Sequence, residues 1–256
     1  MPFSQQVIRW SLVAGLVGAV VFLAFPEIDL RVAAQFHDER YGFPLGLVQP
    51  VRGVQTLLRI ATASVVVVCL LLLVWKTMTP RHSPGRMPRA AIAFILLGLA
   101  VGPGLVVNTL FKDNWGRARP AHLDQFEGDK EFSPALVMAD QCVSNCSFVS
   151  GDAAVAFYLA ALAFVFPRRA ARWLRRGIAF GLVIGMFRIG QGGHFVSDVW
   201  FAGVFTLLTT ALIWQYGFDR GGLARIPGVM AAVDAIDRGA RRLRRPLRRL
   251  YRRRAT

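Results

Sequence analysis

Residues 90–110 read AAIAFILLGLAVGPGLVVNTL, and residues 112–120, after one phenylalanine, read KDNWGRARP. The first stretch carries no charged side chain; the second is dense with them. A bilayer core about 30 Å thick is crossed by about 20 apolar residues in a helix, because lipid offers backbone N–H and C=O groups no partner outside it. Ala90–Leu110 meets that requirement, and so does the uncharged Val199–Phe218. Trp10–Phe25 and Ile60–Trp75 are shorter, but the lone arginines on their flanks, Arg9 and Arg59, can snorkel to the interface. Val149–Phe166 contains Asp152, and Gly177–Gly190 contains Arg188. The expected fold is an all-α, polytopic membrane bundle of six spans over residues 1–218, followed by a basic tail, 219–256.

Composition agrees with this. Of 256 residues 54% are apolar and 18% charged, against about 25% charged in soluble domains, and the mean hydropathy is +0.43. A soluble enzyme and a disordered chain are excluded, and three cysteines are too few for a disulfide framework. The first apolar stretch has only Arg9 before it and no small-x-small site ahead of Pro26, so an uncleaved helix is expected rather than a signal peptide.

Lys and Arg set the orientation. The turn 76–89 carries Lys76, Arg81, Arg86 and Arg89, and the turn 168–176 carries five arginines, with no acid in either. The tail holds twelve basic residues against three acidic ones, more than half of the net +16. Segments 26–53 and 112–148 hold more acids than bases. Both termini and the Arg-rich turns are therefore expected in the cytoplasm, and loops 26–53, 112–148 and 190–198 on the outer side. A polybasic segment beside a span fits anionic phospholipid headgroups, and no nucleic-acid-binding fold surrounds it. Residues 231–251 can lie at the interface as a helix interrupted by Pro246. No internal repeat or linker divides the chain.

This topology gathers three charged groups on one face of the membrane: Lys112 and Arg119; Ser150, Gly151 and Asp152; and Arg188, His194 and Asp198. Charge at membrane depth is costly, so such residues are functional hypotheses by default. A helix start at Ser150-Gly151 offers free N–H groups to an anion, and Lys112, Arg119 and Arg188 add charge-assisted bonds to phosphate oxygens. His194 and Asp198 are four apart, on one helical face. A carboxylate on one ring nitrogen fixes the tautomer and leaves the other nitrogen to attack or take a proton. The set reads as phosphoryl transfer with a histidine nucleophile. No metal is expected, since a second His/Cys cluster is lacking and the cations would repel one. Arg117 reads as a snorkelling anchor, His37, His82 and His122 as structural, and Cys69 as packing inside the second span.

With these residues in place the chain resembles the type 2 phosphatidic acid phosphatase (PAP2) superfamily, which also includes vanadium haloperoxidases. Its Lys-x6-Arg-Pro motif is met by Lys112 to Arg119-Pro120. Its Pro-Ser-Gly-His motif is met in part by Val149-Ser150-Gly151-Asp152. Its Ser-Arg-x5-His-x3-Asp motif is met by Arg188, His194 and Asp198, with Phe187 in place of serine. The resemblance implies that His194 attacks phosphorus, that Asp198 orients it, and that Lys112, Arg119, Ser150, the Gly151 backbone and Arg188 hold the phosphate without a cofactor. Asp152 stands where the family has a histidine thought to protonate the leaving group. Three roles are open to it: a substitute acid, which is the preferred one, a partner of an arginine, or the mark of a protein that binds phosphate without turnover.

Cys142 and Cys146 precede the second motif on the expected outer face. In an oxidising periplasm a disulfide between them would brace the phosphate loop. This cysteine-flanked form is similar to a bacterial branch of the superfamily that contains lipid A 4′-phosphatases. The expected function is hydrolysis of a phosphate ester or pyrophosphate on a membrane lipid, at the periplasmic face of a bacterial inner membrane. Undecaprenyl-pyrophosphate and phosphatidylglycerophosphate phosphatases, a lipid phosphotransferase, and a non-catalytic phospholipid-binding protein or transporter are the alternatives. Oligomeric state cannot be read from the sequence.

Overall fold

A computed structural model of the chain describes residues 1–78 and 89–219. Expectations for the tail, its interfacial helix, His82, Arg81 and Arg86 lie outside these. The described residues form helices and no strand. They are α1 (Phe3–Ala24), α2 (Glu27–Ala34), α3 (Gln49–Met78), α4 (Arg89–Lys112), α5 (Gly151–Val165), α6 (Ala170–Gly190) and α7 (Val196–Phe218).

Four of them, α1, α3, α4 and α7, are long and apolar enough to cross a membrane. Six spans were expected; α5 and the segment Pro167–Gly190 instead form one pair bent by 119°, so the described residues hold four such helices, or five spans if the pair counts as one. The reason lies in length and charge. The fifteen residues of α5 reach only about 22 Å, and α6 carries Arg172, Arg175, Arg176 and Arg188. The protein is a multi-pass membrane protein.

The centre of the bundle is α5, α6 and α7. Gly177, Gly181 and Gly185 recur every fourth residue on α6, and a Cβ on them would meet Ala160 N at 2.3 Å, Phe157 at 2.2 Å and Val199 at 2.2 Å. Small residues at this spacing let helices approach to backbone contact, the packing available where lipid supplies no hydrophobic drive. On the other side of α7, Gly18 makes room for the Trp200 indole, whose Nε1 donates to Ala14 O at 3.0 Å. By contrast, most apolar side chains of α3 face outward.

Pro103 interrupts the α-helical ladder of α4, having no N–H and crowding the preceding turn. From Ala100 to Lys112 the helix runs in wider i→i+5 turns, and Asn108 Nδ2 donates back to Pro103 O at 2.7 Å. Lys112 ends this segment. The C-terminal ends of α4 and α6 and the N-terminal ends of α5 and α7 meet at one end of the bundle. The arginine-rich turn 167–176 lies at the opposite end of α5 and α6.

Candidate active site

His194 lies in the short turn between α6 and α7 and is fully buried. Its Nδ1 is 2.7 Å from the Ser147 carbonyl oxygen. A carbonyl only accepts, so Nδ1 carries the proton and Nε2 keeps its lone pair. Nε2 has no hydrogen-bond partner among the described residues. Burial, with the positive charges of Arg188 and Lys112 acting in the same direction, lowers the His194 pKa from 6.5 to about 4, so the ring is neutral at neutral pH.

The route by which Asp198 supports this ring differs from the sequence expectation. Its Oδ2 is 3.7 Å from Nδ1, beyond a hydrogen bond. That oxygen instead accepts from the Phe195 N–H at 2.8 Å, which caps α7, and from Ser147 Oγ at 2.5 Å. Asp198 therefore holds both ends of the contact: the turn carrying His194, and the residue whose carbonyl takes the ring proton. A carbonyl bonded to a neighbouring segment leaves no trace in sequence, so Ser147 was missed.

Arg117 corrects a second expectation. It is no snorkelling anchor but a fully buried side chain. Nη1 donates to Asp198 Oδ1 at 2.7 Å and Ser197 Oγ at 2.9 Å, Nη2 to Asp29 Oδ2 at 2.8 Å, and Nε to Ser133 O at 2.9 Å. Its guanidinium carbon stands 4.2 Å from the centre of the Phe195 ring. Asp29, from α2, also accepts from the Ser197 N–H and hydroxyl. Nothing in the sequence marks Asp29: an acid in a segment between two apolar stretches carries no signal of burial.

The cations gather beside the ring. Gly151 opens α5 behind the N-cap Ser150, whose Oγ accepts from Ala153 N at 3.4 Å. A Cβ at Gly151 would stand 2.4 Å from Asn108 Oδ1 and 3.5 Å from Lys112 Nζ, so the lysine head reaches the start of α5. Arg188 lies over Gly193, where a Cβ would be 2.7 Å from Nη2. Its Nη1 donates to Gln191 Oε1 at 2.5 Å, and its Nε is 3.1 Å from Asp152 Oδ2. Arg119 Nη2 donates to Asn145 O at 2.6 Å. Lys112, Arg119, Arg188 and Asp152 all act on one another electrostatically. Asp152 is thus the ion-pair partner of Arg188.

The loop 112–150 is laced to this floor by its backbone. Cys146 N donates to Lys112 O at 3.0 Å, Ser147 N to Arg117 O at 2.9 Å, and Ser150 N to Asp198 O at 3.3 Å. Cys142 and Cys146 form a disulfide that closes the turn bearing Asn145. Cys69 is buried in α3, His37 packs between Phe43 and Phe126, and His122 borders a cavity beside Arg119.

The segment that carries these residues has a counterpart among known proteins: the PAP2 superfamily profile matches residues 91–221. The chain belongs to the PAP2 superfamily. It is a phosphoric-ester hydrolase. A lipid A 4′-phosphatase of Francisella tularensis subsp. novicida is 35% identical over 223 residues, 83% of this chain and 98% of that protein. A lipid A 4′-phosphatase of Rhizobium leguminosarum is 34% identical, covering 74% of this chain and 84% of its own. A lipid A 1-phosphatase of Rhizobium etli is 35% identical over 49% of this chain and 52% of its own. No solved structure matches. All the PAP2 motif positions, Lys112, Arg119, Ser150, Gly151, Arg188, His194 and Asp198, fall in the end layer described here, as does the atypical Asp152.

Proposed function

We propose that the protein hydrolyses a phosphate ester of a membrane lipid, lipid A first among them and at its 4′ position, through a phosphohistidine on His194. The observation that carries this is the state of the ring: buried and neutral, its Nδ1 proton committed to the Ser147 carbonyl, with Nε2 free of any hydrogen bond among the described residues and within the field of Lys112 and Arg188.

Nε2 attacks phosphorus, the P–N bond forming as the P–O ester bond breaks and the lipid oxygen departs. Lys112, Arg119, Arg188 and the N–H groups at the start of α5 take up the charge on the equatorial oxygens, the largest contribution in such transfers. A water then attacks phosphorus, releasing inorganic phosphate and restoring the ring. These residues need no metal for either step. Asp152 occupies the position from which the family's histidine protonates the leaving oxygen. It takes that role once phosphate has displaced it from Arg188 and its carboxylate has taken up a proton; it gives that proton to the leaving oxygen and recovers one from the water that attacks in the second step. The two lipid A 4′-phosphatases matching over most of their length favour the lipid A reading.

We place the site on the periplasmic face of a bacterial inner membrane, with α5 and α6 each crossing and both termini in the cytoplasm. Arginines at the turn opposite the site support this under the positive-inside rule, and a disulfide suits an oxidising compartment. α5 is enclosed by the other helices, which lets a short helix cross without meeting lipid. In this arrangement residues 219–256 clamp onto anionic headgroups of the inner leaflet.

Phosphate release by the purified protein from lipid A, phosphatidic acid, phosphatidylglycerophosphate and undecaprenyl pyrophosphate tests the reading. His194→Ala is expected to abolish release, and rapid quenching is expected to trap alkali-stable, acid-labile phosphoprotein only when His194 is present. Release by His194→Ala at the wild-type rate would overturn it. A phosphorylated lipid acceptor in place of free phosphate would reveal a transferase.

A further inference from the structure

A cavity of about 450 Å³ opens beside the cations, and the phosphate chemistry alone does not account for it. Arg119 and Arg188 form one wall, so it is continuous with the phosphate site. Gln55 and Thr56 from α3, His122, and Gln191 with the backbone of the following glycines form the rest. Its size falls in the range of about 300–1,000 Å³ typical of small-molecule sites and is far more than a phosphate needs.

The lining is polar. Among its described residues Ala121 supplies the one apolar side chain. An acyl or prenyl chain gains nothing from such walls, whereas hydroxyl and amide groups find partners there. Two of the walls are tied together: Gln55 Nε2 donates to Gln191 Oε1 at 2.6 Å, and the same oxygen accepts from Arg188 at 2.5 Å. With its oxygen doubly engaged, the Gln191 amide has two N–H donors to offer, and Gln55 has its carbonyl oxygen. The floor is backbone at close quarters. Gly192 has φ +65°, and a Cβ there would stand 2.5 Å from the Phe43 ring.

We infer that this cavity seats the hydroxyl-bearing ring, a sugar, that carries the phosphate, with Gln55, Gln191 and His122 binding its hydroxyl and amide substituents. The inference rests on the phosphatase reading above and adds to it the residues that select the headgroup. The phosphate lies between Arg119, Arg188 and His194, the ring extends toward α3, and the lipid chains leave along the outward-facing apolar side of α3.

The test has two arms. In the first, kcat/KM for lipid A is divided by kcat/KM for phosphatidic acid, whose phosphate is borne on glycerol. Gln55→Leu and His122→Leu are each expected to lower this ratio about tenfold or more, since a site built to bond hydroxyls discriminates strongly for them. A ratio within twofold of wild type in both variants would overturn the inference. The second arm needs neither a variant nor turnover. Calorimetric binding of N-acetylglucosamine phosphate to the wild-type protein is expected to be at least about tenfold tighter than that of inorganic phosphate, and equal affinities would overturn it. Turnover of the free sugar phosphate as fast as lipid A would support the same ring site with a soluble source. A protein that releases phosphate from nothing yet binds the sugar phosphate more tightly than phosphate would refute the hydrolase reading and leave the cavity assignment standing.

Discussion

Replacing Arg117 by methionine removes a guanidinium with no solvent exposure that bonds two carboxylates, a hydroxyl and a carbonyl. Removing one partner of a buried ion pair costs about 3–5 kcal/mol, because the remaining charge has neither water nor a counter-ion. Here one cation serves both Asp29 and Asp198, so the upper end, about 5 kcal/mol, is expected. For a domain of this size that corresponds to a fall in Tm of about 10–20 °C. Arg117→Lys keeps the charge but cannot hold both carboxylates in the fork geometry, and is expected to fall between. Arg117→Met combined with Asp29→Asn removes one charge of each sign and is expected to recover part of the loss. Thermal unfolding in detergent, followed by circular dichroism, measures all three beside Arg175→Met, an exposed arginine on α6. If Arg117→Met and Arg175→Met melted together near wild type, Arg117 would be the surface anchor that the sequence suggested, and the buried network would be refuted.

Three further outcomes are expected. Burial holds the His194 pKa in the folded protein below the value of about 6.5 it has when unfolded; between the two the unfolded chain binds the extra proton, so stability is full above about pH 6.5 and falls as pH drops below it. The pH dependence of Tm is therefore expected to flatten in His194→Gln, and an unchanged slope would count against a buried neutral ring. Reducing the Cys142–Cys146 disulfide, or replacing both cysteines by serine, is expected to lower kcat about tenfold or more, because the adjoining residues 145–147 bond Arg119, Asp198 and His194 and small misplacements of reacting groups are costly; equal rates with and without reductant would show the turn to be held without it. Gly151→Ala sets a methyl 2.4 Å from Asn108 Oδ1 at the mouth of α5, so phosphate release is expected to drop at least about tenfold with Tm little changed, and full activity would remove the start of α5 from the phosphate site.

The family-motif positions were legible because their spacing is local. Lys112 ends one helix with Arg119 in the segment just after it, and His194 stands just before the helix whose first turn holds Asp198, so each pair is placed by backbone geometry over a few residues. The number of spans was less legible. A hydropathy reading counts 149–166 and 177–190 as two separate spans, whereas α5 and the segment Pro167–Gly190 are long and apolar enough only as a pair, bent by 119°, and a bend between two helices is not written in either one. The glycine stripe on α6 was present in the sequence, but its meaning depends on which helix packs against it.

By itself the sequence determined an all-helical membrane protein whose PAP2 motif residues lie near the ends of apolar runs, since those runs fix which segments can enter lipid and where charge must leave it. Only the tertiary structure decided how His194 is held. Arg117 meets Asp29 across 88 residues and Asp198 across 81, and His194 gives its proton to a carbonyl 47 residues away. Whether an arginine reaches water or two buried carboxylates depends on what the fold places opposite it, and no property of the residue or its neighbours in the chain encodes that.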